Sequence, residues 1–137
     1  MTNIVKVAVE AALAAGKVQA EHVNKIQSVS EKSGLRGDVV TEVDLLCEKE
    51  IIDRIQKVFP DDSILAEESG ETLGDLNKKW IIDPLDGSLN YSHGYPCYCV
   101  SIGVEHAGEL VVGVIYNPNL DELFVAEKGQ GAMLNGK

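Results

Sequence analysis

The sequence predicts an α+β fold in which two long helices cover one face of a mostly antiparallel sheet. Three observations carry that expectation. Apolar residues recur at helical spacing over 3–25 and again over 42–59. From residue 97 onward the pattern becomes short strand-like runs separated by turns, at His106-Ala107-Gly108 and Asn117-Pro118-Asn119-Leu120. Between these regimes lies an apolar stretch, Trp80-Ile81-Ile82, that ends abruptly in Asp83-Pro84-Leu85-Asp86-Gly87-Ser88. Helices followed by a meander form a layered α+β arrangement.

At 137 residues there is room for one domain with a single core. A 45% hydrophobic and 25% charged composition is ordinary for a globular chain. The net charge of −10 argues against a nucleic-acid backbone or an anionic membrane as partner, and no run approaches transmembrane length. An acidic protein that binds an anion has to import positive charge, and metal ions do so. Cys47, Cys97 and Cys99 are an odd set without C-x-x-C spacing. On a strand, Cys97 and Cys99 share one face; a zinc pair there competes with buried thiols of a reduced compartment, which is the expectation. Met1–Lys6 leads into alanines with Glu10 among them, not into a signal-peptide core, so a cytoplasmic location is expected.

The elements follow in order. Over Asn3–Lys25, Ile4, Val7, Ala8, Ala11, Ala15 and Val18 fall on one helical face, and the alanine stripe implies close packing on a partner helix. Ile26–Val40 reads as a hairpin whose glycine-containing tip carries Lys32 and Arg36. The second helix, from Glu42 to Phe59, aligns Val43, Leu46, Cys47, Ile51, Ile55 and Val58; Thr41-x-x-Asp44 resembles a capping box at its start. Ser63–Ala66 is a short strand running into Glu67-Glu68-Ser69-Gly70, and the polar Glu71–Lys79 segment reads as a surface loop that partly covers a site. Leu89–Gly94 suits a helical turn or two. Strands are expected at Cys97–Glu105, Glu109–Tyr116, Asp121–Ala126 and Gly131–Asn135. His22, His93 and His106 have no ligand partner at metal spacing and read as structural.

The chemistry concentrates in Trp80-Ile81-Ile82-Asp83-Pro84-Leu85-Asp86-Gly87-Ser88-Leu89-Asn90-Tyr91. Pro84 is expected to stop the strand ladder and hold Asp83 at its end. Gly87 lets the backbone approach a ligand, and Ser88 with the amides beyond it suits an anion at a helix start. Carboxylates beside an anion need a cation between them, and a hard oxygen-loving one, Mg²⁺ foremost, suits the set. An Asx-type turn with a helix cap is the competing reading of Asp-Gly-Ser. For Glu67-Glu68 the competing reading is a solvated surface.

This stretch resembles the first signature of the inositol monophosphatase family, Mg²⁺-dependent and lithium-sensitive phosphomonoesterases. Gly37-Asp38-Val39-Val40-Thr41-Glu42-Val43-Asp44, Ile64-Leu65-Ala66-Glu67-Glu68-Ser69-Gly70 and Glu122–Gly136 resemble further family motifs in the right order, so the likeness covers nearly the whole chain. It implies Mg²⁺ held by Glu67, Asp83, Asp86 and the Leu85 carbonyl, with Asp83 bridging to a second ion. It implies catalytic roles for Glu67, Asp44 and Ser88, the last two pairing to orient the attacking water. Asp86, Gly87 and Ser88 would contact the substrate phosphate. Ser88 stands where the family more often has threonine and keeps the hydroxyl. A loop lysine serves the site in the family; Lys32 and Arg36 are rival candidates here.

The resemblance further implies a small-molecule phosphate monoester as partner, inositol monophosphate first, and a homodimer. Fructose 1,6-bisphosphate and 3′-phosphoadenosine 5′-phosphate are the alternative substrates within the superfamily; Asn90-Tyr91 favours the inositol or sugar phosphate branch. The chain corresponds to the first, metal-binding half of a five-layered α-β-α-β-α fold. The later Trp-Asp-x-Ala motif, whose aspartate completes the second metal site in the family, has no counterpart in residues 1–137. A metal- and phosphate-binding module without catalysis is therefore the rival from another class.

Overall fold

The computed structural model describes residues 2–25, 29–31 and 39–137; the candidate cations Lys32 and Arg36 lie outside them. Helix α1 spans Asn3–His22 and α2 spans Glu42–Val58. Strands β1 (Val29–Glu31) and β2 (Val39–Thr41) pair as an antiparallel hairpin. The remaining strands are β3 (Asp62–Ala66), β4 (Gly70–Thr72), β5 (Asp75–Asp86), β6 (Cys99–His106), β7 (Glu109–Asn117), β8 (Glu122–Glu127) and β9 (Gly131–Leu134), with a short α3 (Ser88–Ser92) after β5. They form one seven-stranded sheet in the order β4-β3-β5-β6-β7-β8-β9. Every pairing in it is antiparallel except β3 with β5, which is parallel.

Both long helices lie on one face. Thr2 caps α1 by accepting from the Val5 N–H at 3.3 Å. Ala8, Ala11, Ala12, Ala15 and Gly16 are buried along α1, and these small residues let its backbone come close. The Cys47 thiol of α2 donates to the Ala15 carbonyl at 3.4 Å. From α2, Val43, Cys47, Ile51 and Ile55 enter the core, where they meet Trp80 and Ile82 of β5, Val100, Ile102 and Val104 of β6, and Val112 and Val114 of β7. Burying side chains of this size stabilises by about 1.5–3 kcal/mol each, and that burial orients the whole sheet against the helices.

The helical face of α2 differs from the expectation. Leu46 and Val58 are exposed, while Asp44 and Glu48 are buried in their place. Polar groups won those positions because each finds hydrogen-bond donors there. The segment 71–79 is not a loop: it completes β4 and begins β5. Residues 71–77 are exposed, so the outer stretch of β5 shows none of the alternation that marks a half-covered strand. Nor does Pro84 end the ladder. β5 continues to Asp86 through an irregularity between Asp83 and Asp86, after which Asp86 pairs with Cys99. Proline is accommodated at such a bulge because no N–H is required of it.

Candidate active site

The single parallel pairing brings the first carboxylates together. Ala66 stands opposite Ile82, so β3 and β5 run side by side towards the same edge, with Glu67 and Asp83 one residue further along each. The Glu67 N–H donates to the Ile82 carbonyl at 3.2 Å. Beyond it the chain turns back into β4, and Glu48 of α2 holds the turn: its Oε1 accepts from the Glu68 N–H at 3.0 Å and the Ser69 N–H at 3.2 Å. Sequence reasoning missed Glu48. Its signal was a carboxylate one turn after Asp44, inside the apolar stripe of α2.

Asp83 is half-buried, and its Oδ1 is enclosed without a hydrogen-bond partner. Burial, a hydrogen bond shared with Glu67 and the charges of Glu67 and Asp86 push its carboxyl up to about 8, while the Leu85 backbone pulls the other way. Carboxylates that share a proton occupy ground that a cation fills with less repulsion. Glu67 and Asp86 are exposed. Among the described residues, no group of three or more His, Cys, Asp or Glu is already drawn together around a metal position. The donor types, three carboxylates with a backbone carbonyl between two of them in the chain, suit a hard cation. Glu67 and Asp83 open on a groove of about 670 Å³ that Leu65, Ile81, Ser101 and Leu110 also line.

A second cluster lies under the bulge. Asp44 is fully buried and accepts from the Thr41 N–H at 2.9 Å, the Thr41 hydroxyl at 2.5 Å and the Ser88 hydroxyl at 2.5 Å. Thr41 Oγ1 in turn accepts from the Asp44 N–H at 3.3 Å, completing a capping box. Asp44 is thus both a helix cap and the partner of Ser88. Ser88 Oγ also lies 3.0 Å from the Leu85 carbonyl. A hydroxyl has one proton, and the shorter, charge-assisted contact to Asp44 takes it.

Gly87 links the two clusters. It adopts φ 96° and ψ 35° as the cap of α3, and a Cβ there would stand 2.8 Å from the Cys97 carbonyl oxygen. Both the backbone and the space require glycine. The cysteine expectation fails in part. Cys97 precedes β6 and is exposed, Cys99 is half-buried, and only Cys47 is buried among the three. The imidazoles of His22 and His93 each contact a backbone carbonyl of their own helix, at 2.9 Å.

A sequence model of the inositol monophosphatase family matches residues 1–137. The chain belongs to that family. Inositol-1-monophosphatase of Synechocystis sp. is 47% identical over 132 residues, covering 95% of this chain and 45% of that protein. A Thermotoga maritima protein named fructose-1,6-bisphosphatase/inositol-1-monophosphatase is 41% identical over 116 residues, 85% of this chain and 44% of its own. The chain spans about half the length of these curated relatives. Among solved structures, extragenic suppressor protein suhB from Bartonella henselae superposes with a TM-score of 0.94 at 39% identity, over 99% of this chain and 53% of that one. An IMPase/NADP phosphatase complexed with Mg²⁺ and phosphate superposes with a TM-score of 0.80 at 26% identity, over 90% of this chain and 47% of that one. The α+β arrangement described above is the one shared with the matched half of these solved structures.

Proposed function

We propose that this chain carries the metal-holding half of a Mg²⁺-dependent phosphomonoesterase that acts on a small-molecule phosphate monoester, inositol monophosphate in the first instance. The observation that carries the reading is the enclosed, unpartnered Asp83 oxygen, flanked by the Glu67 and Asp86 charges and followed in the chain by the Ser88–Asp44 pair. Glu67, Asp83, Asp86 and the Leu85 carbonyl would hold Mg²⁺. When bound, the ion supplies the positive charge that draws in a phosphate dianion and makes a neighbouring water a better nucleophile.

The protein's own groups do the positioning. The Ser88 hydroxyl donates its hydrogen bond to Asp44, which leaves its lone pairs to accept from a water and aim that water's oxygen. Gly87, without a side chain, allows a phosphate to approach the backbone of that turn. Asp44, fixed by the two Thr41 donors, keeps the Ser88 hydroxyl from rotating away. Fructose 1,6-bisphosphate and 3′-phosphoadenosine 5′-phosphate remain the alternative substrates, and lithium inhibition, a homodimer and a cytoplasmic location belong to the same proposal. No described helix is long and apolar enough to cross a membrane.

A second reading is a metal- and phosphate-binding module without turnover. That the chain spans about half the length of its curated relatives favours it. Calorimetric titration of Mg²⁺ with inositol 1-phosphate present, beside an assay of phosphate release, separates the two. Turnover abolished by Asp83→Asn supports the enzyme; saturable binding without phosphate release supports the module; no Mg²⁺ binding defeats both.

A further inference from the structure

We propose that Gln19 is a positioning residue for the acidic site, fixing from the helical layer the bulge that sets Asp83 and Asp86; the inference rests on the metal-binding reading given above. Gln19 ends the buried stripe of α1 that Ala8, Ala11, Ala12, Ala15 and Gly16 begin. It is fully buried. A carboxamide enclosed among apolar residues costs free energy unless it is hydrogen-bonded, and Gln19 Oε1 has no partner. Filling space therefore does not account for the residue, since an apolar side chain would fill it without that penalty. What the amide supplies is a donor. Its Nε2 donates to the Pro84 carbonyl at 3.0 Å and, more weakly, to the Cys99 carbonyl at 3.4 Å. Both acceptors are carbonyl oxygens, so the orientation of the amide is fixed.

Those two carbonyls lie on either side of the broken ladder. Pro84 is inside the irregularity between Asp83 and Asp86, and Cys99 is the β6 residue that pairs with Asp86. Gln19 thus staples the bulge to the neighbouring strand. Its own main chain is held too, because the Tyr91 hydroxyl of α3 donates to the Gln19 carbonyl at 2.7 Å. One residue reaches three segments, 65, 80 and 72 positions away in sequence. Bulges re-aim the side chains beside them, and the side chains beside this one are two of the carboxylates assigned to the cation. Removing an outer partner of a metal ligand lowers metal affinity by about 10–100-fold.

The test is a Mn²⁺ titration, read from the electron paramagnetic resonance of the free ion, on the full chain and its variants. Gln19→Met fills the volume and removes the donor. Ile51→Val is the control, loosening the same core without touching the bulge. The expected result is a Mn²⁺ dissociation constant about 10–100-fold higher in Gln19→Met, with a metal-free Tm no lower than that of the control, whose affinity stays at the unaltered value. Should Gln19→Met not fold, Gln19→Asn, which withdraws the same amide by one methylene, takes its place with the same expectation. An unchanged dissociation constant overturns the proposal. So does a loss of affinity in Ile51→Val matching that in the Gln19 variant, which would make Gln19 an ordinary core residue. If the unaltered chain shows no saturable Mn²⁺ binding, the metal reading fails and takes the inference with it. Binding that is present but insensitive at position 19 defeats the positioning role alone.

Discussion

Asp83 is a partly buried carboxyl held among like charges. Its carboxyl is raised to about 8 by burial and by Glu67 and Asp86, well above the ~3.9 of an unperturbed aspartate. A raised folded-state value means that the unfolded chain releases the proton more readily. Without metal, the folded state is favoured below the ordinary aspartate range and loses stability as pH rises towards about 8. Asp83→Asn removes that cost. We expect Tm in chelator, compared between pH 4 and pH 8, to fall less for Asp83→Asn than for the unaltered chain, and Mg²⁺ to raise the Tm of the unaltered chain alone. A variant that still responds to Mg²⁺ would move the metal assignment off Asp83. Ser88→Ala acts on the other cluster. It removes one of three donors to a buried carboxylate, at a cost of about 1.5–3 kcal/mol for a hydrogen bond to a charge. Denaturant unfolding reads that cost directly. In a form that turns over, the same change should slow phosphate release by about 10²–10⁴-fold while Mg²⁺ affinity holds. An unchanged rate would leave Ser88 as a structural partner of Asp44.

At the scale of elements, the turn from β5 into α3 is the least forgiving. Gly87→Ala places a methyl 2.8 Å from the Cys97 carbonyl at a φ of 96°. The left-handed conformation alone costs about 1–2 kcal/mol, so a lowered Tm and greater protease access at residues 87–98 are expected; an unchanged Tm would show the turn to be slack. Thiol reactivity reports the same packing. Cys97 should alkylate readily, whereas burial and the nearby Asp44 and Glu50 charges raise the Cys47 thiol to about 12. Mass spectrometry after brief alkylation at pH 8 should find Cys97 modified first and Cys47 spared. Much of this layer was legible in the sequence. The two helices, the meander and the Asp83–Ser88 motif follow from periodicity and turn chemistry, which are local properties. Glu48 and Gln19 were not legible, because a buried polar residue in an apolar stripe is explained only by its partners. Those partners, at Glu68 and Ser69 and at Pro84 and Cys99, are far away in sequence. The outer end of β5 was missed for the opposite reason: it is exposed and carries no burial pattern.

At the scale of the molecule, the helices cover one face of the sheet, and among the described residues the other face is left bare. Leu110, Ile115, Phe124, Met133 and Leu134 are exposed, and all of them border one apolar depression with Gly103 and Gly113. A patch of this kind favours association. The isolated chain should sediment as more than a monomer, and Ile115→Lys should shift it towards monomer without altering its circular dichroism; a monomeric unaltered chain would contradict this. The long reach of Gln19 also carries a consequence in time. A ribosome makes this chain from the end that holds α1, at about 5–20 residues per second. The Gln19 amide is synthesised 80 positions before the Cys99 carbonyl that it contacts, an interval of roughly 4–16 s at that rate. Until Pro84 is made the buried amide has neither carbonyl partner, and until Cys99 is made it has only one, so the Asp83 bulge is not yet tied to its neighbouring strand. The acidic site therefore closes only after Cys99 has been made, so a chain stalled before Cys99 has the residues for the site without the site.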